Sequence, residues 1–298
     1  MPVQNFEPID TNTDVTTTRT LLHEVIPLTG TIVSGTYTDG NIKNYTHGMF
    51  QSVYDYPYLS SSANHIFDIT MGFNSTAKYN TSPGQTLSAA CNLNGVQCSK
   101  KLNIYTQFAQ TLLGYQSTAQ NTVETFESDL NISEDTAENK MDSCYFITLS
   151  RLIMKEQIKK GSFSMTLGTG SYNFGLPTGS QRMTLIDASA SSTTGGGFKS
   201  GLPGGDYGVL YVSGASPVTA SGVIFYQAGV IVLTSSFTKT PAGSGLTAAT
   251  ASMFSASGGG PTSYNALQTM VTGTISGACD VLRRRIQNIS FNNTTEIN

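Results

Sequence analysis

The 298 residues carry 16 Lys and Arg against 19 Asp and Glu, a formal net charge of −3, and only 12% of the chain is charged. That is about half the usual share, and the absence of a basic tract argues against a nucleic-acid binder. Thirty glycines stand beside abundant Ser, Thr and Asn, with 14 Tyr and 14 Phe; the aromatics exclude a disordered chain, and the rest suits strands of Thr joined by turns of Gly and Asn.

Residues 1–20 are polar and without periodicity, with Thr11, Thr13, Thr16, Thr17 and Thr18 among them. They read as an extended arm able to lie across a neighbouring subunit. Glu7, Asp10, Asp14 and Arg19 interrupt the place where the apolar region of a signal peptide would lie, so synthesis in a cytoplasm is expected. From Leu21 to Ala63 the mixture of Ile, Val, Thr, Tyr and Gly predicts short strands and turns, and His65–Met71 alternates as a half-buried strand does.

Ile104, Phe108 and Leu112, with Tyr105 and Ala109 beside them, predict a helix over Leu102–Leu113 with Gly114 as its C-cap. The acidic stretch Glu124–Asp142 predicts an exposed loop. Cys144–Leu149 is a buried strand, Arg151–Ile158 one or two helical turns ended by Lys159-Lys160-Gly161, and Ser162–Leu167 a second strand. Gly, Ser and Thr dominate 168–206, which reads as a long loop or pair of loops. Tyr207–Phe237 is the strongest β segment: one strand at Val209–Val212, then one long or two short strands over Val223–Thr234.

After a glycine hinge at Ser255–Pro261, apolar residues from Tyr264 to Ile286 recur at three- and four-residue steps and predict a long amphipathic helix. Gly273 and Gly277 each weaken it by about 1 kcal/mol against Ala, but give it a small-residue face that a partner backbone can approach. Arg283, Arg284 and Arg285 read as a solvated C-terminal turn favoured by the helix dipole, or as a contact for an acidic partner. Phe291–Asn298 reads as a strand that stops short or a tail that docks elsewhere. The expected fold class is α+β, predominantly β, with antiparallel sheets, a short mid-chain helix and a long C-terminal helix. The expected regions are the arm 1–20, an N-terminal α+β region 21–143, and a β-rich region 144–298.

Little in the sequence carries chemistry. His23, His47 and His65 lack metal-ligand spacing, so neither metal nor cofactor is expected. Ser75-Thr76-Ala77-Lys78 and Ser236-Phe237-Thr238-Lys239 match a Ser-x-x-Lys nucleophile motif, but neither opens a helix that would bring Lys to Ser. Gly168–Gly175 follows a strand, yet it lacks a Lys-Ser/Thr ending and Pro177 blocks the helix a phosphate loop requires. Asp129, Asn131, Ser133 and Asp135 imitate half a calcium loop, after which Glu134 and Lys140 stand where Gly and Glu are needed. Cys91 and Cys98 bracket a turn and would pair if oxidised; Cys144 and Cys279 complete the four, and a cytoplasmic origin makes thiols the expectation. Val223–Leu233 is the longest apolar run and is too short to enter a bilayer as a spanning helix.

Tyr145–Arg151, with Lys155, Ile158–Phe163 and Thr166-Leu167, resembles segments of virion structural proteins of T4-like marine phages. So do Gly208–Tyr211 and Ala220–Thr234, and the likeness covers mainly residues 100–298. The resemblance implies a tail or baseplate subunit of the virion that acts by protein–protein assembly, as a homo-oligomer or with other virion subunits, and it brings no catalytic residues. The assembly surfaces expected on the sequence are Thr16, Thr17, Thr18, Gly273, Gly277, Arg283, Arg284 and Arg285. Two rival functions differ in what they need. A receptor- or carbohydrate-binding tail protein needs exposed aromatics in the glycine-rich loops, for which Tyr172, Phe174 and Phe198 are the candidates. A tail-associated hydrolase needs a pocket gathering Glu124, Glu127, Asp187, Asp206 and the histidines.

Overall fold

The structure, a computed structural model, describes residues 17–23, 42–54, 65–75, 95–116, 122–130, 132, 140–168, 182–191, 197–214, 220–235, 273–283 and 286–294. Its strands are β1 (Thr17–His23), β2 (Ile42–Asn44), β3 (Gln51–Tyr54), β4 (His65–Phe73), β5 (Ser143–Leu149), β6 (Gln157–Ile158), β7 (Ser164–Gly168), β8 (Arg182–Ile186), β9 (Phe198–Leu202), β10 (Gly205–Val212), β11 (Ala220–Phe225), β12 (Val230–Thr234) and β13 (Ile286–Thr294). The helices are α1 (Gly95–Leu112), α2 (Arg151–Met154) and α3 (Ile275–Arg283), with a 3-10 turn at Ala188–Ser191. The fold is thus predominantly antiparallel β with few helices, as the composition predicts.

Along the sheet the strands run β1-β13-β7-β8-β10-β11-β12-β5-β4-β3-β2, with β6 also on β13 and β9 also on β10. Every pairing is antiparallel. The boundary expected near residue 143 falls within β5, which bonds β4 on one side and β12 on the other. Likewise β1, from the N-terminal part, is paired along its length with β13.

The pairing of β4 with β5 is regular from Phe67↔Leu149 to Phe73↔Ser143, so successive residues sort onto opposite faces. One face, with Thr70, Gly72 and Phe146, receives α1. Phe108 stacks on Phe146 with ring centroids 4.3 Å apart, and a Cβ on Gly72 would lie 2.7 Å from both Lys101 O and Tyr105 N. Gly72 is what lets the helix backbone sit so close. The other face, with Ile69, Met71 and Tyr145, receives α3: the Tyr145 hydroxyl donates to Ala278 O (3.2 Å), and the Cys279 thiol to Ile69 O (3.5 Å). Covered on both sides, β4 is buried through most of its length, where alternation alone predicted a half-buried strand.

Five further expectations are corrected. Helix α1 begins seven residues before Leu102, because its first turns carry no apolar stripe and Val96 stands 70% exposed. Its end is as expected: Gly114 takes φ +89° and donates to Ala109 O (3.1 Å). Within the acidic stretch, Phe126 is fully buried, receives Tyr105 edge-on at 5.5 Å, and donates its N–H to the Tyr105 hydroxyl (3.1 Å). One aromatic residue anchors a segment whose charge suggested solvent. The region 168–206 contains β8, the 3-10 turn and β9; the alternation of Arg182–Ile186 is only five residues long and is flanked by Gly, Ser and Thr.

The long C-terminal helix is not found. Nine residues, Ile275–Arg283, are helical, residues 286–294 form β13, and 262–272 lie outside the described residues. Ile286 and Ile289 fit a helical period, but Ile286-Gln287-Asn288-Ile289-Ser290-Phe291 is β-branched and polar in mixture, and pairing on both edges decides it. Far from stopping short, β13 lies inside the sheet.

Candidate functional site

Of the residues expected at an assembly surface, Thr16, Arg284 and Arg285 lie outside the described residues. Thr17 and Thr18 open β1, opposite Thr294 and Asn293. Gly273 serves the chain itself, since its carbonyl accepts from Lys101 Nζ (2.8 Å). Gly277 is exposed on α3, where a Cβ would meet only Thr274 Oγ1, at 3.2 Å.

Arg283 corrects the expectation of a solvated or partner-facing arginine. It is fully buried, donating to Asp280 Oδ1 (2.7 Å) and Gln51 Oε1 (3.2 Å), while Gln51 donates to Asp280 Oδ1 (2.7 Å). A charge taken out of water needs such partners, and here they tie α3 to β3. With Lys101 bonded to Gly273 and Ile275 N donating to Gln97 Oε1 (3.2 Å), the start of α3 is fixed to α1 as well.

The two ends of the sheet differ. β2 is three residues long and carries Lys43 at its centre, a short, charged edge of the kind that resists strand addition. β1 is seven residues, Thr-Thr-Arg-Thr-Leu-Leu-His, with no Pro or Gly, and pairs β13 over seven consecutive positions without irregularity. Its outer edge pairs no strand among the described residues.

A polar latch sits near β8. Asp187, buried, accepts from Gly161 N (2.8 Å), Phe163 N (2.9 Å) and the Tyr226 hydroxyl (3.0 Å). Burial raises its carboxyl above the ordinary aspartate range, opposed by these hydrogen bonds. Burial, then the negative charge of Asp187, pushes the Tyr226 phenol upward, and burial holds Tyr207 at about 12. Beside the latch, Lys160 lies 2.6 Å from Asp206 and 4.0 Å above the ring of Phe198. Burial works to raise Asp206, but hydrogen bonding to Lys160 and Ser200 and the lysine charge hold it below its ordinary value. An open cleft of about 380 Å³ adjoins these residues, lined by Lys159–Ser162, Ser191 and Ser290–Asn292.

At the β2 end of the sheet, register aligns Lys43, Ser52, Asp68 and Thr148 across β2, β3, β4 and β5. Asp68 Oδ1 accepts from Ser52 Oγ (2.5 Å) and from His65 Nε2 (2.9 Å), and Ser52 Oγ is 3.1 Å from the Tyr45 hydroxyl. Rings surround this row: Tyr54 lies 5.2 Å from His65, and Tyr45, His47 and Phe50 are mutually 4.8–5.1 Å apart. Ser, Asp and His meet here with Asp in the middle. A nucleophilic triad needs His between Ser and Asp to take the proton, and this order does not supply it.

The residues of the hydrolase reading are dispersed: Asp187 follows β8 and Asp206 lies in β10, inside the sheet, His47 and His65 lie at the β2–β4 end, and the backbones of Glu127 and Lys140 form an isolated β-bridge. Among the described residues no three His, Cys, Asp or Glu side chains are placed to share a metal ion. Tyr172 and Phe174 lie outside the described residues, and one face of Phe198 is taken by Lys160. Cys98 is buried in α1, and Cys91 lies outside the described residues. The row at Asp68 escapes the sequence because it is assembled by register between four strands, with His65 set opposite Tyr54 only by the pairing of β3 with β4. No family model, curated protein or solved structure matches the chain. No described helix is long and apolar enough to cross a membrane.

Proposed function

We propose that this chain is a structural subunit of a phage tail or baseplate, working by assembly with copies of itself through the outer edge of β1. The observation that carries the reading is the contrast between the two sheet ends: β2 is short and charged, whereas β1 offers seven regular residues with one charge and no bulge. An edge of that kind is a template for another strand. Two antiparallel copies of one strand related by a two-fold axis satisfy both edges at once. The resemblance of Tyr145–Leu167 and Ala220–Thr234 to strands of phage virion proteins supports the choice of assembly, and so does the commitment of Arg283, Lys101 and Asp187 to holding the fold together.

Single cysteines placed at Thr18, Thr20 and Leu22, in a Cys91→Ser background, test the geometry. Mild oxidation is expected to give disulfide-linked dimers most readily at one position and less on either side, as a two-fold axis requires. No covalent dimer at any of the three, in protein with unchanged circular dichroism, would rule out pairing through β1.

A further inference from the structure

We infer that the polar row centred on Asp68, with the rings of Tyr54 and His65, is a binding site for a neutral saccharide. Many aromatic side chains elsewhere in the fold, such as Phe67, Phe73, Phe126, Phe146 and Phe225, are fully buried, while Tyr115 and Phe198 stand exposed one at a time. Here Tyr45, Phe50, Tyr54 and His65 are half-buried and His47 is exposed, in two groups at the surface: Tyr45, His47 and Phe50 in mutual contact, and Tyr54 against His65. Half-exposed rings beside fixed polar groups are the pairing a sugar uses: its C–H face lies on a ring while its hydroxyls meet placed donors and acceptors.

The acceptors are oriented in advance. Both donors on Asp68, Ser52 Oγ and His65 Nε2, go to Oδ1, which leaves Oδ2 without a partner among the described residues on a carboxylate 35% exposed. Because a carboxylate oxygen can only accept, His65 Nε2 carries the hydrogen toward it, and whenever the ring holds a single hydrogen Nδ1 is a second acceptor. Two fixed acceptors beside a tyrosine face match a pair of hydroxyl donors on one face of a hexose.

Charge decides against the other ligands such a site would take. Lys43 Nζ lies 5.2 Å from the centre of the Tyr45 ring and Lys100 Nζ donates to His47 O (2.6 Å), so two cations flank the rings and oppose an ammonium guest. Lys43 stands two strands from Asp68, and its ammonium lies against the Tyr45 ring. The open Asp68 oxygen therefore opposes an anionic sugar. A neutral polyhydroxylated ligand meets neither repulsion.

The test is a titration of the full chain with lactose, maltose and N,N′-diacetylchitobiose, following the His65 ring protons by NMR into the millimolar range expected of a shallow site. At least one disaccharide is expected to shift His65, with Asp68→Asn and Tyr54→Ala each weakening binding about tenfold or more. Should either variant lose its fold, His65→Gln, on the rim, is expected to show the same loss. Three results would overturn the assignment: no shift with any of the three sugars, affinity unchanged in folded variants, or tighter binding of spermidine or sialyllactose than of any neutral sugar.

Discussion

Arg283 carries a full charge where water cannot reach it, and its guanidinium holds Asp280 and Gln51 in place from one atom group. Truncation to Ala removes the cation from beside Asp280 and leaves Gln51 Oε1 without its donor, although Gln51 still donates to Asp280. Arg283→Ala is expected to cost about 3 kcal/mol, the lower end for a buried pair because Asp280 is 20% exposed; urea unfolding reads this as a lower midpoint at unchanged slope. Sequence reasoning saw three adjacent arginines and not that one of them turns inward, since the partners lie 3 and 232 residues away. Asp187 gives the second prediction. Its carboxyl titrates higher folded than unfolded, so below the ordinary aspartate value it costs nothing, and as pH rises through the raised value its ionisation destabilises the fold. The stability difference between wild type and Asp187→Asn is therefore expected to shift against wild type as pH climbs across that window. A difference that is flat, or that moves the other way, would show that the hydrogen bonds from Gly161, Phe163 and Tyr226 outweigh burial.

Elements whose signal is local were legible: β4, β5, β10 and α1 announce themselves by alternation or by a helical stripe, and Gly114 marks the end of α1 through its backbone geometry. Elements held by distant partners were not. The segment around Phe126 reads as solvated by charge, yet its one ring sits among Tyr105, Phe146 and Phe225. Phe126→Ala is expected to cost about 3–5 kcal/mol, measurable as a fall in the thermal midpoint; a change under about 1 kcal/mol would return this stretch to the surface. The approach of α1 to β4 depends on Gly72, where a methyl group meets backbone rather than a yielding side chain. Gly72→Ala should lower stability by about 1–3 kcal/mol, even though Ala ordinarily favours folding over Gly.

At the scale of the molecule, the fold class followed from composition, because a chain rich in Thr, Gly and aromatics but poor in charge has few other ways to bury itself. The sheet order did not follow. Nothing local joins Thr17–His23 to Ile286–Thr294, and that pairing turns the end of an expected arm into an edge strand and an expected unfinished tail into an interior one. It also leaves the sheet with one blunt end and one regular end, on which the assembly reading rests. The most direct measurement is the mass of the purified chain by light scattering across a concentration series, beside a Thr18→Lys, Thr20→Lys variant that charges the β1 edge. The wild type is expected to associate as concentration rises and the variant to remain at the monomer mass of 31.7 kDa. A wild type that stays monomeric throughout, or a variant that associates equally well, would contradict assembly through β1.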